Sequence, residues 1–267
     1  MNIIEANQIG DKNSIKKYSN DGFILIKNVY KKTIIKNLKK KILKDSKYNK
    51  FNNYYEIIKG KKIIRRIEKI YDQLGRSKQL LNSKKIKDIL KIYEGTRMSL
   101  FKDKLNFKYP GGEGFLPHVD GHFYWIDNQK KIKKGWQEYA DNFCSIVIPL
   151  EKMSKHNGCL QLAKKNDLNK IGTNFNKILK KITFKTPNIK KKFLKHFNFF
   201  PIEMEIGDIC IFNWKCAHFS KKNKSKNSRM IFYITYSGKN KFTNLRQKYY
   251  KDKKLSSNEN KLKSLQI

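Results

Sequence analysis

Two histidines and a carboxylate have the types and spacing to hold a metal ion. His118-Val119-Asp120 comes after a glycine-rich turn inside a strand-like stretch, FLPHVDGHFYW (115–125), and His218 lies about a hundred residues further on. In a strand, residues i and i+2 project from one face, so His118 and Asp120 can converge on one ion. An imidazole and a carboxylate joined by one distant histidine form the facial set used by non-heme iron(II). Three protein ligands on one face leave three positions open, two for a chelating 2-oxoglutarate and one for dioxygen. A three-residue pattern arises by chance in any sizeable chain, so its weight comes from the residues downstream of it. His218 ends a strand begun at Gly207-Asp208, and Arg229 comes eleven residues later at the start of another. A strand-borne arginine deep in a barrel is costly unless it meets an anion. The distal carboxylate of 2-oxoglutarate suits its bidentate fork.

The elements that must position these residues change character near residue 97. Before it the chain reads as a mostly helical scaffold (1–96) after an initial strand, GFILIKNVY (22–30). Thr33 is placed to cap a helix with Ile34, Ile35, Leu38, Ile42 and Leu43 at helical spacing. A second helix is expected over 77–94, stopped by Gly95. From 97 to 240, short apolar runs broken by turn signals predict a mainly β core of jelly-roll type. Those runs are 98–109, 115–125, 143–153, 159–163, 208–214 and 229–237, with Asn157-Gly158 as a hairpin signal between the third and fourth. Residues 164–200 read as a partly helical insertion over the barrel mouth, and the Lys-rich tail 241–267 as peripheral.

Together these residues resemble the phytanoyl-CoA dioxygenase-like family of iron(II)/2-oxoglutarate oxygenases. The matching stretches are DGFILIKN (21–28), LFKDKLNFKYPGGEGFLPHVDGH (100–122), NGCLQL (157–162) and GDICIFNWKCAHFS with NSRMIFYITYS (207–237). They preserve the family's order over most of the chain. The resemblance implies one oxygenase domain over 1–267, with a double-stranded β-helix core and helices packed outside it. It implies iron(II) on His118, Asp120 and His218, with 2-oxoglutarate held by Arg229, Ser220 and Lys108. It implies hydroxylation of a small polar or anionic metabolite, with release of succinate and CO2. A carboxylate at position 120 fits hydroxylation, since related halogenases leave that ligand site vacant for halide. Two positions depart from the pattern. AKKND (163–167) stands where Pro-Gly-Ser-His often comes after the NGCL strand, and Val147 or a neighbour stands where some members carry an aromatic.

Other candidates have blander readings. His122 is set apart from the triad by the bend expected at Gly121, Tyr124 and Trp125 suit barrel packing, and His156 and His196 suit the surface. The cysteines, Cys144, Cys159, Cys210 and Cys216, lack CxxC pairing and suit a reduced core.

The net charge of +39 raises a nucleic-acid reading. Of 61 basic residues only six are arginine, leaving 55 lysines spread along an Asn- and Ile-rich chain, as an AT-rich genome would produce. Nucleic-acid readers depend on arginine forks, so a solvated surface is expected and no specific nucleic-acid partner. No apolar run approaches the roughly 18 residues of a membrane span, and a cytoplasmic location is expected. The oligomeric state is not set by the sequence. Rival readings are a non-enzymatic basic β-helix protein binding a ligand or nucleic acid, and an oxygenase acting on a macromolecule.

Overall fold

Long apolar runs form this sheet because both of its faces are covered. In Phe23–Lys27, Phe23 and Leu25 point to one side while Ile24 and Ile26 point to the other, and all four are fully buried. A strand buried on both faces reads as a continuous apolar run rather than an alternating one. The computed structural model describes residues 2–45, 53–75, 78–127, 129–171 and 186–259.

The chain begins with β1 (Ile3–Glu5), α1 (Lys12–Asp21), β2 (Phe23–Lys27) and α2 (Lys32–Asp45). Then come β3 (Asn53–Ile58), β4 (Lys61–Glu68), α3 (Lys78–Leu81) and α4 (Lys84–Glu94). The sheet-rich half runs β5 (Ser99–Lys108), β6 (Phe115–His118), β7 (Tyr124–Ile126), β8 (Ile132–Lys134), β9 (Ala140–Pro149) and β10 (Leu160–Ala163). It continues with β11 (Phe199–Ile202), β12 (Ile209–Asn213), β13 (His218–Ser220) and β14 (Arg229–Asn240), and α5 (Leu245–Glu259) comes last. Eight strands make the large sheet, ordered β1-β2-β12-β9-β14-β5-β4-β3, and four make the small one, β11-β10-β13-β6. The inner core joins Phe23, Leu25, Val147 and Ile231 of the large sheet to Leu160 and Leu162 of the small one. The outer face of the large sheet packs Ile146, Ile211 and Phe232 under α2 and α4. This is the expected mainly β jelly-roll core with helices outside it.

Several expectations are corrected. The stretch 1–96 is not only helical: β3 and β4 pair around a Lys59-Gly60 turn, both residues at positive φ, and extend the large sheet. The helix expected over 77–94 is two helices. Ser83 caps the second by accepting the Ile86 N–H at 3.3 Å, Gly95 ends it at φ 68°, and Ser77 lies outside the described residues. Thr33 is not a cap, because α2 already begins at Lys32; within that helix Ile35, Leu38 and Ile42 are buried while Ile34 and Leu43 are exposed. Asn157-Gly158 does not close a hairpin, since β9 and β10 belong to different sheets. The Asn157 side chain instead ties a crossing loop, accepting the Ser154 N–H at 2.9 Å and donating to Lys152 O at 2.8 Å. The tail is not peripheral through α5, where Leu245 and Tyr249 are buried against Phe101 and Trp136. In the insertion 164–200, residues 172–185 lie outside the described residues, and the flanks form 3-10 turns at 165–171 and 191–196.

Candidate active site

β6 and β13 pair so that His118 and His218 face one another, with ring centroids 4.2 Å apart. The 115–125 stretch is not one strand. β6 ends at His118, and Asp120 lies in a turn at Gly121, whose φ is 76°. A Cβ at Gly121 would lie 2.7 Å from the Trp136 ring, so only glycine makes this turn. The turn swings Asp120 between the histidines. His118 Nε2 lies 3.8 Å from one carboxylate oxygen and His218 Nε2 lies 3.7 Å from the other.

Each histidine is oriented by a main-chain carbonyl. His118 Nδ1 sits 2.7 Å from Leu116 O and His218 Nδ1 sits 3.1 Å from Cys216 O. A carbonyl only accepts, so Nδ1 carries the proton and Nε2 presents its lone pair to the cluster. Burial, and then the charge of His218, lower the pKa of His118 to about 3. His218 is also lowered, first by burial. Burial alone would raise Asp120, yet Lys104 and the two histidines hold it well below the usual carboxylate range. The site therefore offers two neutral imidazoles and one carboxylate, with ligand atoms within 4.8 Å of one another. That donor set fits a facial iron(II) centre.

Beside this cluster, β5 and β14 set two cations in register, Lys108 opposite Arg229, both fully buried. Lys108 Nζ donates to Ser220 Oγ at 2.8 Å and to Gly158 O at 3.3 Å. Arg229 Nη1 also donates to Gly158 O, while its buried Nε has no hydrogen-bond partner among the described residues. Burial, then the neighbouring Arg229, lower the pKa of Lys108 to about 6. Lys108 Nζ also donates to Lys221 O, so its hydrogens are taken up by three acceptors, whereas Arg229 keeps a buried donor free, which suits an anion. Val147 faces the same interior, with Tyr233 as its cross-strand partner, so an aromatic is present next to the position where the sequence departs.

The remaining candidates sort cleanly. His122 hydrogen-bonds Asp120 O through Nδ1 at 2.9 Å and stacks on Trp214 at 4.7 Å, outside the cluster. Trp125 is core, Tyr124 packs near Val119, His156 is exposed and His196 is half-buried. All four cysteines are buried free thiols.

Sequence reasoning missed a charged cavity of about 210 Å³ over the cluster, lined by Arg66, Glu68, Lys102, Lys104, Trp136 and Lys253 among others. The signal was present in β5, where Lys102, Lys104, Asn106 and Lys108 recur with period two. It was hidden by the abundance of lysine elsewhere.

The fold and the cluster can be set beside known proteins. The chain matches phytanoyl-CoA dioxygenase (PhyH) over residues 18–231. It belongs to that family. Membership makes it a dioxygenase of the iron(II)- and 2-oxoglutarate-dependent class. Among the family's curated relatives, the chain is 26% identical over 201 residues to "Dioxygenase lolE1" of Epichloe uncinata, covering 75% of this chain and 70% of that one. It is 28% identical over 207 residues to "2-aminoethylphosphonate dioxygenase" of the uncultured bacterium HF130_AEPn_1, covering 77% and 71%. Among solved structures, EctD from S. alaskensis with 2-oxoglutarate and 5-hydroxyectoine aligns with TM-score 0.65 at 14% identity, covering 85% of this chain and 76% of that one. No helix among the described residues is long and apolar enough to cross a membrane.

Proposed function

We propose that residues 1–267 form one oxygenase domain that hydroxylates a small anionic metabolite, with His118, Asp120 and His218 holding iron(II). In this reading Arg229, Ser220 and Lys108 hold 2-oxoglutarate. The observation that carries it is the pairing of two buried features, an open two-histidine, one-carboxylate set and, next to it, an arginine whose buried Nε has no hydrogen-bond partner among the described residues. Iron bound with 2-oxoglutarate supplies oxidation of a substrate carbon by dioxygen, with succinate and CO2 as products.

The chain's own residues bind, orient and shield. Leu116 O and Cys216 O fix both imidazole tautomers. Arg229 and Lys108 fix the far end of the cosubstrate and so its orientation. Phe123, Trp136 and Tyr249 give the cavity apolar walls that limit water. The cavity's lysines favour an anionic substrate, and two relatives are named for phosphonates, "2-aminoethylphosphonate dioxygenase" and "Methylphosphonate hydroxylase" of Gimesia maris.

The test is succinate formation from 2-oxoglutarate with iron(II), oxygen and a panel of small organic acids and phosphonates. Turnover stimulated by an anionic substrate, and lost by about a hundredfold or more in His118→Ala, supports the reading. Equal turnover in the variant contradicts it.

A further inference from the structure

We infer that the cavity over the cluster selects substrates carrying an oxyanion head, carboxylate or phosphonate, and that Lys104 is the residue that grips it. This rests on the dioxygenase reading above and adds the group by which the substrate is recognised.

Charge pairing singles out this lysine. Among the described residues four cations line the cavity, Arg66, Lys102, Lys104 and Lys253, and Glu68 is its one carboxylate besides Asp120. Glu68 already serves three of the four. It pairs with Arg66 Nη1 at 3.4 Å, with Lys102 Nζ at 3.9 Å and with Lys253 Nζ, which reaches in from α5. Burial would raise its pKa, but Lys253, Lys102 and Arg66 pull it well below the usual range, so it stays charged and engaged.

Lys104 is the cation left over. Its cross-strand neighbour is Glu68, yet it makes no ion pair within 4 Å among the described residues. Its ammonium lies 5.1 Å from the centre of the Tyr233 ring. The opposite charge that acts on it most is Asp120, which belongs to the metal cluster. A metal on Asp120 takes that charge away and leaves a largely desolvated ammonium facing the cavity. An anion from the substrate restores the balance. Because Lys104 and the cluster line the same cavity, an oxyanion on Lys104 sets the adjoining carbon toward the cluster. The volume of about 210 Å³ is below the roughly 300–1,000 Å³ of drug-sized sites, which restricts the occupant to a small metabolite.

The test is calorimetric binding of methylphosphonate, acetate and the neutral ester dimethyl methylphosphonate to the full-length protein loaded with manganese(II) under anaerobic conditions, with and without saturating 2-oxoglutarate. At least one of the two anions should bind, and its comparison with the other separates phosphonate from carboxylate heads. Affinity should fall about tenfold or more in Lys104→Met and return in Lys104→Arg. The methionine keeps the stem and removes a buried charge, and thermal unfolding checks that it folds. The idea is overturned if neither anion binds at roughly 10 mM, if the ester binds as well as the anions, or if Lys104→Met binds like the wild type. Competition with 2-oxoglutarate would place the anion at Arg229 and also overturn it. Because these measurements read binding and need no turnover, they fail independently of the oxygenase reading, which stands or falls on succinate formation.

Discussion

Lys108 and Arg229 face each other across two central strands, and the cost of burying both shows in Lys108, whose pKa falls to about 6. An unfolded lysine titrates near 10.4. Between those values the unfolded chain binds more protons than the native one, so this group makes the metal-free protein more stable as pH rises from about 6 to about 10. A carboxylate arriving beside Lys108 favours its charged form and reverses the depression. Binding of 2-oxoglutarate at pH 8 should therefore take up close to one proton. Calorimetry in buffers of different ionisation enthalpy reads this directly, and binding enthalpies independent of buffer would contradict it. At this scale the sequence named the residues that come together, His118, Asp120 and His218, and Lys108 with Ser220 and Arg229, through motif order, although Asp120 reaches its place by the turn at Gly121 and not by strand period. Lys104 was not legible. One functional lysine among 55 carries no compositional mark, and only register against Glu68 and Tyr233 separates it from a solvated one.

The last helix shows how an element can be misread from composition. Nothing in LRQKYYKDKKL suggests a core element, since its mean hydropathy is low and its charges look solvated. Its burial is set by a partner far away in sequence. Arg246 Nη2 meets Asp103 Oδ1 at 2.6 Å, and Asp103 is fully buried on the outer face of β5 between Phe101 and Leu105. Tyr139 donates to Asp252 at 2.9 Å, and Lys253 completes the Glu68 cluster. Arg246→Met should cost about 3 kcal/mol in urea unfolding, because it leaves Asp103 buried without its cation. A loss below about 0.5 kcal/mol would mean that α5 is held by its aromatic contacts alone. The strands β3 and β4 were missed for a related reason. KKIIRRIE lacks a clean period of two, and it is the pairing of Arg66 with Asn106 and of Glu68 with Lys104 that fixes its inner face.

Over the whole molecule, the two faces of the large sheet carry the stability and the surface carries the charge. The apolar runs of β2, β9, β12 and β14 were readable in sequence as strands, while their assignment to two sheets depended on contacts no local pattern encodes. Ile211 is fully buried on the helix-covered face, so Ile211→Ala should cost about 2–4 kcal/mol by chemical denaturation. The charge of +39 comes chiefly from lysine, and any binding to DNA should be micromolar or weaker near 0.15 M salt and unchanged in His118→Ala. Nanomolar binding at that salt would restore nucleic acid as a partner. The central claim is that His118, Asp120 and His218 hold iron beside a 2-oxoglutarate site at Arg229 and Lys108, and visible absorption under anaerobic conditions tests it most directly. Wild-type protein with iron(II) and 2-oxoglutarate should show the weak charge-transfer band of the chelate, and folded His218→Ala should lose it. A folded wild-type protein without the band, or a variant that keeps it, would contradict the account.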